Sequence, residues 1–488
     1  MIRAYAVDDV RRAEHVALAT VPEGALMQRA AAGLAAHTAR VLRERTGGVT
    51  GRRVVVLAGA GNNGGDALWA GARLARRGAR VRAVAAAGRV HEEGLAALRA
   101  AGGRLLDGEP ADAALARADV VLDGLVGLGG SPGLRQRAAT LVARVPPTAA
   151  VVAVDLPSGV DPDTGETPGG HVRADVTVTF GVPKACLLLP PAAEAAGEVR
   201  VVDIGLATAD LGAPVVETLQ PADVAGRWPV PGPDDDKYRR GVLGVVAGGA
   251  AYTGAAVLCA GAAVRAGAGM VRYVGPRAPT DLVRARWPEV VPGTGRVQAW
   301  ALGSGVVPED DDQRPAVEEA LAGDLPCVVD AGALALLPGS RRAPTLLTPH
   351  AGELARLLAG LGHGVDRRDV EARPLHHARL AAESTGATVL LKGATSLVVT
   401  PEGRVRAQRG GPHWLATAGS GDVLAGLCGV LLAAGLDPLD AGSLAVLAHG
   451  AAGALASGGG PLSAGSLLDA VPGALTALLA GAWDNDRR

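Results

Sequence analysis

The sequence predicts an α/β chain made of two successive three-layer αβα halves. Three observations carry this expectation. Strand-like and helix-like patterns alternate through most of the 488 residues, which implies parallel sheets covered by helices on both faces. Glycine clusters stand where strand patterns pass into helical ones, a junction that aims free backbone N–H groups at ligands. The alternation breaks between about 206 and 240, where Trp228-Pro229-Val230-Pro231-Gly232-Pro233-Asp234-Asp235-Asp236 reads as a linker or exposed loop. We place the domain boundary near 220, giving halves 1–220 and 221–488.

The elements follow in order. Helical patterning covers roughly 9–45. Strand-like runs lie near 53–58, 80–86, 119–123, 150–155, 175–180 and 199–203, mostly separated by helical stretches, so the first half reads as Rossmann-like. The second half has strand-like runs near 242–247, 270–274, 299–302, 326–330, 345–348, 387–391, 395–400 and 404–408. The last two flank Pro401-Glu402-Gly403, a hairpin turn. Three helices starting near Gly419, Pro438 and Ser463 close the chain.

Composition excludes several classes. Hydrophobic residues make up 48% and aromatics 2%, so the cores must be built from Ala, Val and Leu. A net charge of −1, with both signs mixed, gives no nucleic-acid or polyanion surface. The cysteines (Cys186, Cys259, Cys327, Cys428) have no CxxC spacing, which argues against a disulfide framework or zinc site and for a reducing cytoplasm. The N-terminus lacks an apolar signal core, and the apolar stretch Val423 to Leu436 is short for a membrane span and reads as a buried helix. We expect small-molecule partners, no membrane, and a homo-oligomer. Lysine survives only at 184, 237 and 392, positions where a compact amine is then expected to have a task.

The most informative segment is Leu57-Ala58-Gly59-Ala60-Gly61-Asn62-Asn63-Gly64-Gly65-Asp66, a glycine turn between a strand and a helix. The chain has three asparagines, and two stand here in tandem. Asp123 opens a second glycine loop, Asp155 ends a strand before Leu156-Pro157-Ser158-Gly159, and Lys184 follows Thr177 and Thr179. Carboxylates, amides and an amine converging on one crevice suit acid–base work on a phosphate-bearing ligand. A plain dinucleotide dehydrogenase fits poorly, because the turn lacks GxGxxG spacing and 82–88 offers no acidic residue for a ribose.

The segments GAGNNGGDA, DGLVG, VDLPSGVD and ADVTVTFGVPK, in this order, resemble the NAD(P)H-hydrate epimerase domain over about residues 1–210. The resemblance implies interconversion of the R and S forms of hydrated NADH or NADPH. It implies hydrate binding by Asn62, Asn63, Gly64, Gly65 and Asp66, with Gly127 and Gly129 from the second loop. It further implies a potassium ion on Asn63, Asp123 and Ser158, a donor set of amide, carboxylate and hydroxyl oxygens that suits a hard cation. Asp155 would contact the reacting ring, with Lys184 as its catalytic partner.

In the second half, Ala418-Gly419-Ser420-Gly421-Asp422 opens an apolar helix. Its free N–H groups can hold a phosphoryl group, and Asp422 can take a proton from an attacking hydroxyl. Lys392-Gly393-Ala394-Thr395-Ser396 ends a strand with groups suited to nucleotide phosphates, and His350 stands at another strand-to-helix turn. The adjacent His376-His377 has no metal spacing and is expected on a solvent-facing helix surface. Segments including PCVVDAGAL, TLLTPHAGEL, LLKGATSLV and ATAGSGDVLAGL resemble the ribokinase-like superfamily, and within it ADP-dependent NAD(P)H-hydrate dehydratase, over about 235–480. This implies a ribokinase-like αβα domain. Ala255, Gly305, His350 and Asp422 would bind the hydrate, and Lys392, Gly393, Ala394, Thr395, Ser396 and Gly421 the adenine nucleotide. ADP or ATP would be the phosphoryl donor, with magnesium. Gly332 stands where a second aspartate is common, leaving Asp330 to serve alone. The alternative is a small-molecule kinase, such as one for a hydroxymethylpyrimidine, with a non-catalytic nucleotide-binding N-terminal module.

Overall fold

The computed structural model describes residues 1–309 and 312–483. The chain forms two compact units, Arg3–Val216 and a second made of Met1–Ile2 with Glu217–Arg488. The change of unit thus falls at 216/217. Leu219, Val224 and Trp228 are buried in the core of the second unit, so the linker expected from 228 begins only after that tryptophan, in the exposed stretch 231–239.

The first unit is a parallel sheet in the order Arg104–Leu106, Arg80–Ala85, Arg53–Ala58, Val120–Gly124, Ala150–Val154, Val176–Phe180, Glu198–Val202. The central strands are apolar on both faces because helices cover both. One core packs the helices Ala25–Thr46, Asn62–Arg76 and Glu92–Ala100 on the sheet. A separate core, with Leu115, Val121, Ala138 and Leu141, fills the other face. The strand order reverses between Arg53–Ala58 and Val120–Gly124, which opens a crevice at their carboxyl ends. The early helical stretch is two helices, Val7–Leu18 and Ala25–Thr46, rather than one, because Gly24 adopts a left-handed φ of 75° between them.

The second unit carries the parallel run Thr388–Leu391, Thr345–Leu347, Cys327–Val329, Ala299–Leu302, Val242–Val246, Met270–Tyr273, Val291–Pro292. Beside Thr388–Leu391 the antiparallel strands Thr395–Val399 and Val405–Arg409 form the expected hairpin, with Gly403 at φ 87° in its turn. The short strand Val216–Thr218 extends this edge. The core is mostly Ala, Val and Leu from the helices Thr253–Arg265, Ser420–Ala433, Pro438–Ser457 and Ala464–Leu479. Among the described residues, Pro438–Ser457 is the one helix long and apolar enough to cross a membrane, but 72% of its apolar window is buried inside this core. His377 is buried, its Nδ1 3.0 Å from the Arg373 carbonyl oxygen, so only His376 of the expected solvent-facing pair is exposed.

Candidate active sites

In the first unit, Arg53–Ala58, Val120–Gly124, Ala150–Val154 and Val176–Phe180 are parallel neighbours, so their carboxyl ends share one sheet edge. Helix Asn62–Arg76 starts directly after Gly59-Ala60-Gly61. Asn62, Asn63, Gly64, Gly65 and Asp66 therefore form the first turn of the helix; the N–H groups of Asn62, Asn63 and Gly64 lack carbonyl partners within it, whereas Gly65 N already donates to the Gly61 carbonyl at 3.1 Å. The loop after Asp123 closes on this turn. A Cβ on Gly127 would stand 3.1 Å from Asn63 Cβ and Cγ, so glycine is what lets the loop approach. Gly129 lies beside Arg11, whose guanidinium donates to the Leu128 carbonyl at 2.7 Å.

Asp155 is one of two non-glycine residues with positive φ among the described residues, at 69°. That conformation costs of order 1–3 kcal/mol, and it turns the carboxylate back over the next strand. Asp155 Oδ1 accepts from Thr179 Oγ1 at 3.0 Å, from the Phe180 N–H at 3.2 Å and from Lys184 Nζ. Lys184 is fully buried and also donates to Thr179 Oγ1 at 3.1 Å and the Phe180 carbonyl at 2.8 Å. Three carboxylates interact with this one ammonium: Asp155, Asp66 and Glu14 of helix Val7–Leu18. Burial, with Asp155 and Glu14, pushes the Asp66 carboxyl well above the usual range, and its Oδ1 is buried with no hydrogen-bond partner. Burial raises Glu14 as well, against the opposing pull of Lys184. Sequence reasoning missed Glu14, because it sits mid-helix with no glycine turn or spacing to mark it.

Asp123 is fully buried, and its hydrogen-bond partners are neutral. Oδ1 accepts from Ser158 Oγ at 2.7 Å and Leu125 N at 3.3 Å, and Oδ2 from Ser158 N at 2.8 Å. Burial pushes this carboxyl up to about 6 despite those bonds. Ser158 Oγ also accepts from Val126 N at 2.9 Å, so it ties the second glycine loop to the Asp155 turn. The Asn63 amide nitrogen nearby is buried and unpartnered.

The second unit gathers its groups in the same way. Lys392 Nζ donates to Asp330 Oδ1 at 2.9 Å and lies 3.7 Å from Glu353 Oε2. Burial works to lower the Lys392 amine, but Asp330 and Glu353 outweigh it and hold it above the usual lysine range. Asp330 is buried and also accepts from Thr348 Oγ1 at 2.8 Å and Ser304 Oγ at 3.0 Å. Gly332 cannot be an aspartate here, since any Cβ would run into the Val306 carbonyl. A Cβ on Gly421 would lie 3.4 Å from Lys392 Nζ, so the start of helix Ser420–Ala433 and the lysine serve one site. Burial, with Asp330, pushes Asp422 up to about 6.

Gly305, at φ 68°, packs on Ala255, where a Cβ would be 2.5 Å from the alanine methyl. His350 caps helix Ala351–Gly360: its Nδ1 accepts from Gly352 N at 3.0 Å and Glu353 N at 3.3 Å, which places the proton of the neutral ring on Nε2. Ser396 Oγ is 3.3 Å from both the N–H and the carbonyl of Gly393, so it closes the Lys392–Ala394 turn as well as standing at the site. Thr395 is buried at the start of its strand. Of the three lysines, Lys237 has no part in either site. It is exposed, with its ammonium 5.3 Å from the Tyr238 ring centroid, so scarcity alone misled there.

The fold and these groups define an α/β enzyme with two candidate sites, each holding a lysine–aspartate pair, fully buried at Lys184 and partly exposed at Lys392. Residues 23–186 match the family described as YjeF-related protein N-terminus, and residues 243–465 the family described as NAD(P)H-hydrate dehydratase. The bifunctional NAD(P)H-hydrate repair enzyme Nnr of Mycobacterium tuberculosis is 49% identical over 445 residues, covering 88% of this chain and 89% of its own. The Mycobacterium leprae enzyme of that name is 48% identical over 450 residues, covering 90% of each. That of Corynebacterium glutamicum is 35% identical over 507 residues, covering 88% of this chain and 87% of its own. The chain belongs to the family of bifunctional NAD(P)H-hydrate repair enzymes. The kinase with a non-catalytic partner module is not favoured.

Proposed function

We propose that the unit Arg3–Val216 epimerises the R and S hydrates of NADH and NADPH, and that the second unit dehydrates the S hydrate using the terminal phosphoryl group of ADP or ATP. The observation that carries this reading is the arrangement at Asp422. A carboxylate near pKa 6 stands at an open helix N-terminus whose Gly421 lies beside Lys392. Hydroxide is a poor leaving group and phosphate a good one. Asp422 takes the proton of the substrate hydroxyl as its oxygen attacks phosphorus, the bond to the departing nucleotide breaks, and Lys392 with the Gly421 N–H holds the charge. Loss of phosphate and of a ring proton then restores the reduced nicotinamide.

For epimerisation, Asn62–Asp66 with Gly127 and Gly129 hold the hydrate at the helix N-terminus. Asp155, oriented by Thr179 and Lys184, moves the hydroxyl proton as a bond at the hydroxyl-bearing ring carbon breaks, by ring opening or by loss of water, and returns it as that bond re-forms on the other face. Asp66, whose carboxyl burial pushes toward the protonated form, lies in the same first turn. In the second site, Ala255, Gly305 and His350 contact the hydrate, and Lys392–Ser396 the adenine nucleotide.

A potassium ion fits Asn63, Asp123 and Ser158, because Asp123 is a buried carboxylate whose partners are all neutral and the donors are oxygens. Such an ion supplies charge balance and order to the glycine loop. Magnesium fits the second site through the nucleotide phosphates with Asp330 or Asp422 beside them. The free, buried cysteines suit a reducing cytoplasm. The test is to incubate the protein with mixed hydrate epimers, first with ADP and then with ATP, and follow the return of reduced-nicotinamide absorbance. No recovery with either nucleotide overturns the reading.

A further inference from the structure

His449 lies in the middle of helix Pro438–Ser457, is 6% exposed, and matches none of the groups used above. Its Nε2 is 2.9 Å from the Ser420 carbonyl oxygen. A carbonyl can only accept, so Nε2 carries the proton and donates. Burial lowers the imidazole to about 4, with Lys392 acting in the same direction, so the ring is neutral at working pH.

The Ser420 carbonyl and the Gly421 N–H belong to one rigid peptide unit. Gly421 is the second residue of helix Ser420–Ala433, so its N–H has no partner within the helix. A hydrogen bond to the carbonyl end of a peptide polarises its N–H end, and chains of such bonds reinforce one another. The neighbouring Gly450 fixes a second part of the site. A Cβ on Gly450 would stand 2.9 Å from the Gly410 carbonyl group, and Gly410 N in turn donates to the Ala394 carbonyl at 3.0 Å. One turn of helix Pro438–Ser457 thus touches the supports of both the Gly421 peptide and the Lys392–Ser396 turn.

We propose that His449 is a positioning residue of the phosphoryl-transfer site: its Nε2–H donates to the Ser420 carbonyl, and so aims and strengthens the Gly421 N–H toward the transferring phosphoryl group. This rests on the reading of the second unit as the phosphoryl-transfer site. A donor aimed at developing charge acts most in the transition state, so its loss falls on kcat more than on nucleotide KM.

The experiment compares His449→Leu, His449→Asn and His449→Gln in the full chain. Gln can place its amide N–H where Nε2 stood, whereas Asn is too short and Leu cannot donate. His449→Leu and His449→Asn should lower kcat for dehydration by about 10- to 100-fold with nucleotide KM within about threefold, and His449→Gln should recover most of the rate. Binding of ADP with aluminium fluoride, a mimic of the transferring phosphoryl, should weaken in parallel while ADP alone binds as before. Epimerisation should be unchanged in all three. Equal rates in all variants and wild type, equal losses in Gln and Leu, or a fall in melting temperature with kcat intact would each overturn the proposal. If the wild-type chain dehydrates no hydrate, the functional reading fails, and the fluoroaluminate binding series still decides the role of His449.

Discussion

Asp123 ties burial in the fold to a quantity that calorimetry reads. Its carboxyl is fully buried between neutral partners and is raised from 3.8 to about 6. Because the folded value lies above the unfolded one, the native state binds the proton more tightly. Native stability therefore falls as pH rises from about 4 through 6 and is lowest above that. A shift of this size corresponds to about 3 kcal/mol at neutral pH, of which about 2 kcal/mol develops between pH 4.5 and 7.5. For a unit of this length that is a fall of about 4–8 °C in melting temperature. The cation proposed at Asp123 would remove most of the cost.

The assay is calorimetry of the intact chain and of Asp123→Asn across this pH range, in potassium chloride or tetramethylammonium chloride at equal ionic strength. The wild-type minus variant difference isolates Asp123 from other groups, including Asp422, which titrates in the same window. In tetramethylammonium the wild-type midpoint should fall relative to the variant as pH rises. Potassium should restore it at pH 7.5, with little effect at pH 4.5. Identical pH profiles for the two proteins would refute the buried ionisation, and identical midpoints in the two salts at pH 7.5 would refute the cation site.

Asp422→Ala should slow nucleotide-dependent recovery of NAD(P)H by roughly 10²–10⁴-fold and leave epimerisation intact; near-normal recovery would remove Asp422 as the base. With Asp422 intact, kcat for dehydration should rise with pH through about 6, since only the ionised carboxylate accepts a proton, and a flat profile from 5 to 7.5 counts against that role. Asp155→Asn should still bind hydrate but stop conversion of the R epimer, measured with excess dehydratase activity so that epimerisation limits the rate. Conversion at the wild-type rate would make Asp155 structural and Lys184 the next candidate. A fragment beginning at 228 loses Leu219 and Val224, both nearly inaccessible, at about 2–5 kcal/mol each, so it should unfold at lower urea than a fragment beginning at 217.

Much of this was legible in the sequence because α/β sheets place their chemistry at strand-to-helix turns, and glycine marks those turns. Gly59–Asp66, Asp123, Asp155 and Gly419–Asp422 all stand where the pattern put them. The early helix was read as continuous because its apolar spacing runs on past a glycine that breaks it. Residues acting from helix interiors were not legible. Glu14 is brought near Asp155 and Lys184, and His449 onto the Ser420 carbonyl, through tertiary packing, and no local spacing distinguishes them from ordinary helix residues. Pro and Asp content marks exposed chain, but it does not show that Trp228 at the start of that stretch is held by a core that forms only on folding.

The turn that precedes the second site has a practical value. Trp414 is 49% exposed in the short helix His413–Leu415, and the carbonyl of Leu415 accepts from Ser420 Oγ at 2.8 Å. In a chain with six tryptophans, this indole stands on the residue next to Leu415, the residue tied to the start of helix Ser420–Ala433. It is a built-in optical reporter: its emission and quenching by iodide should follow occupancy of the phosphoryl site without any added label, so nucleotide arrival can be timed separately from the absorbance that marks chemistry.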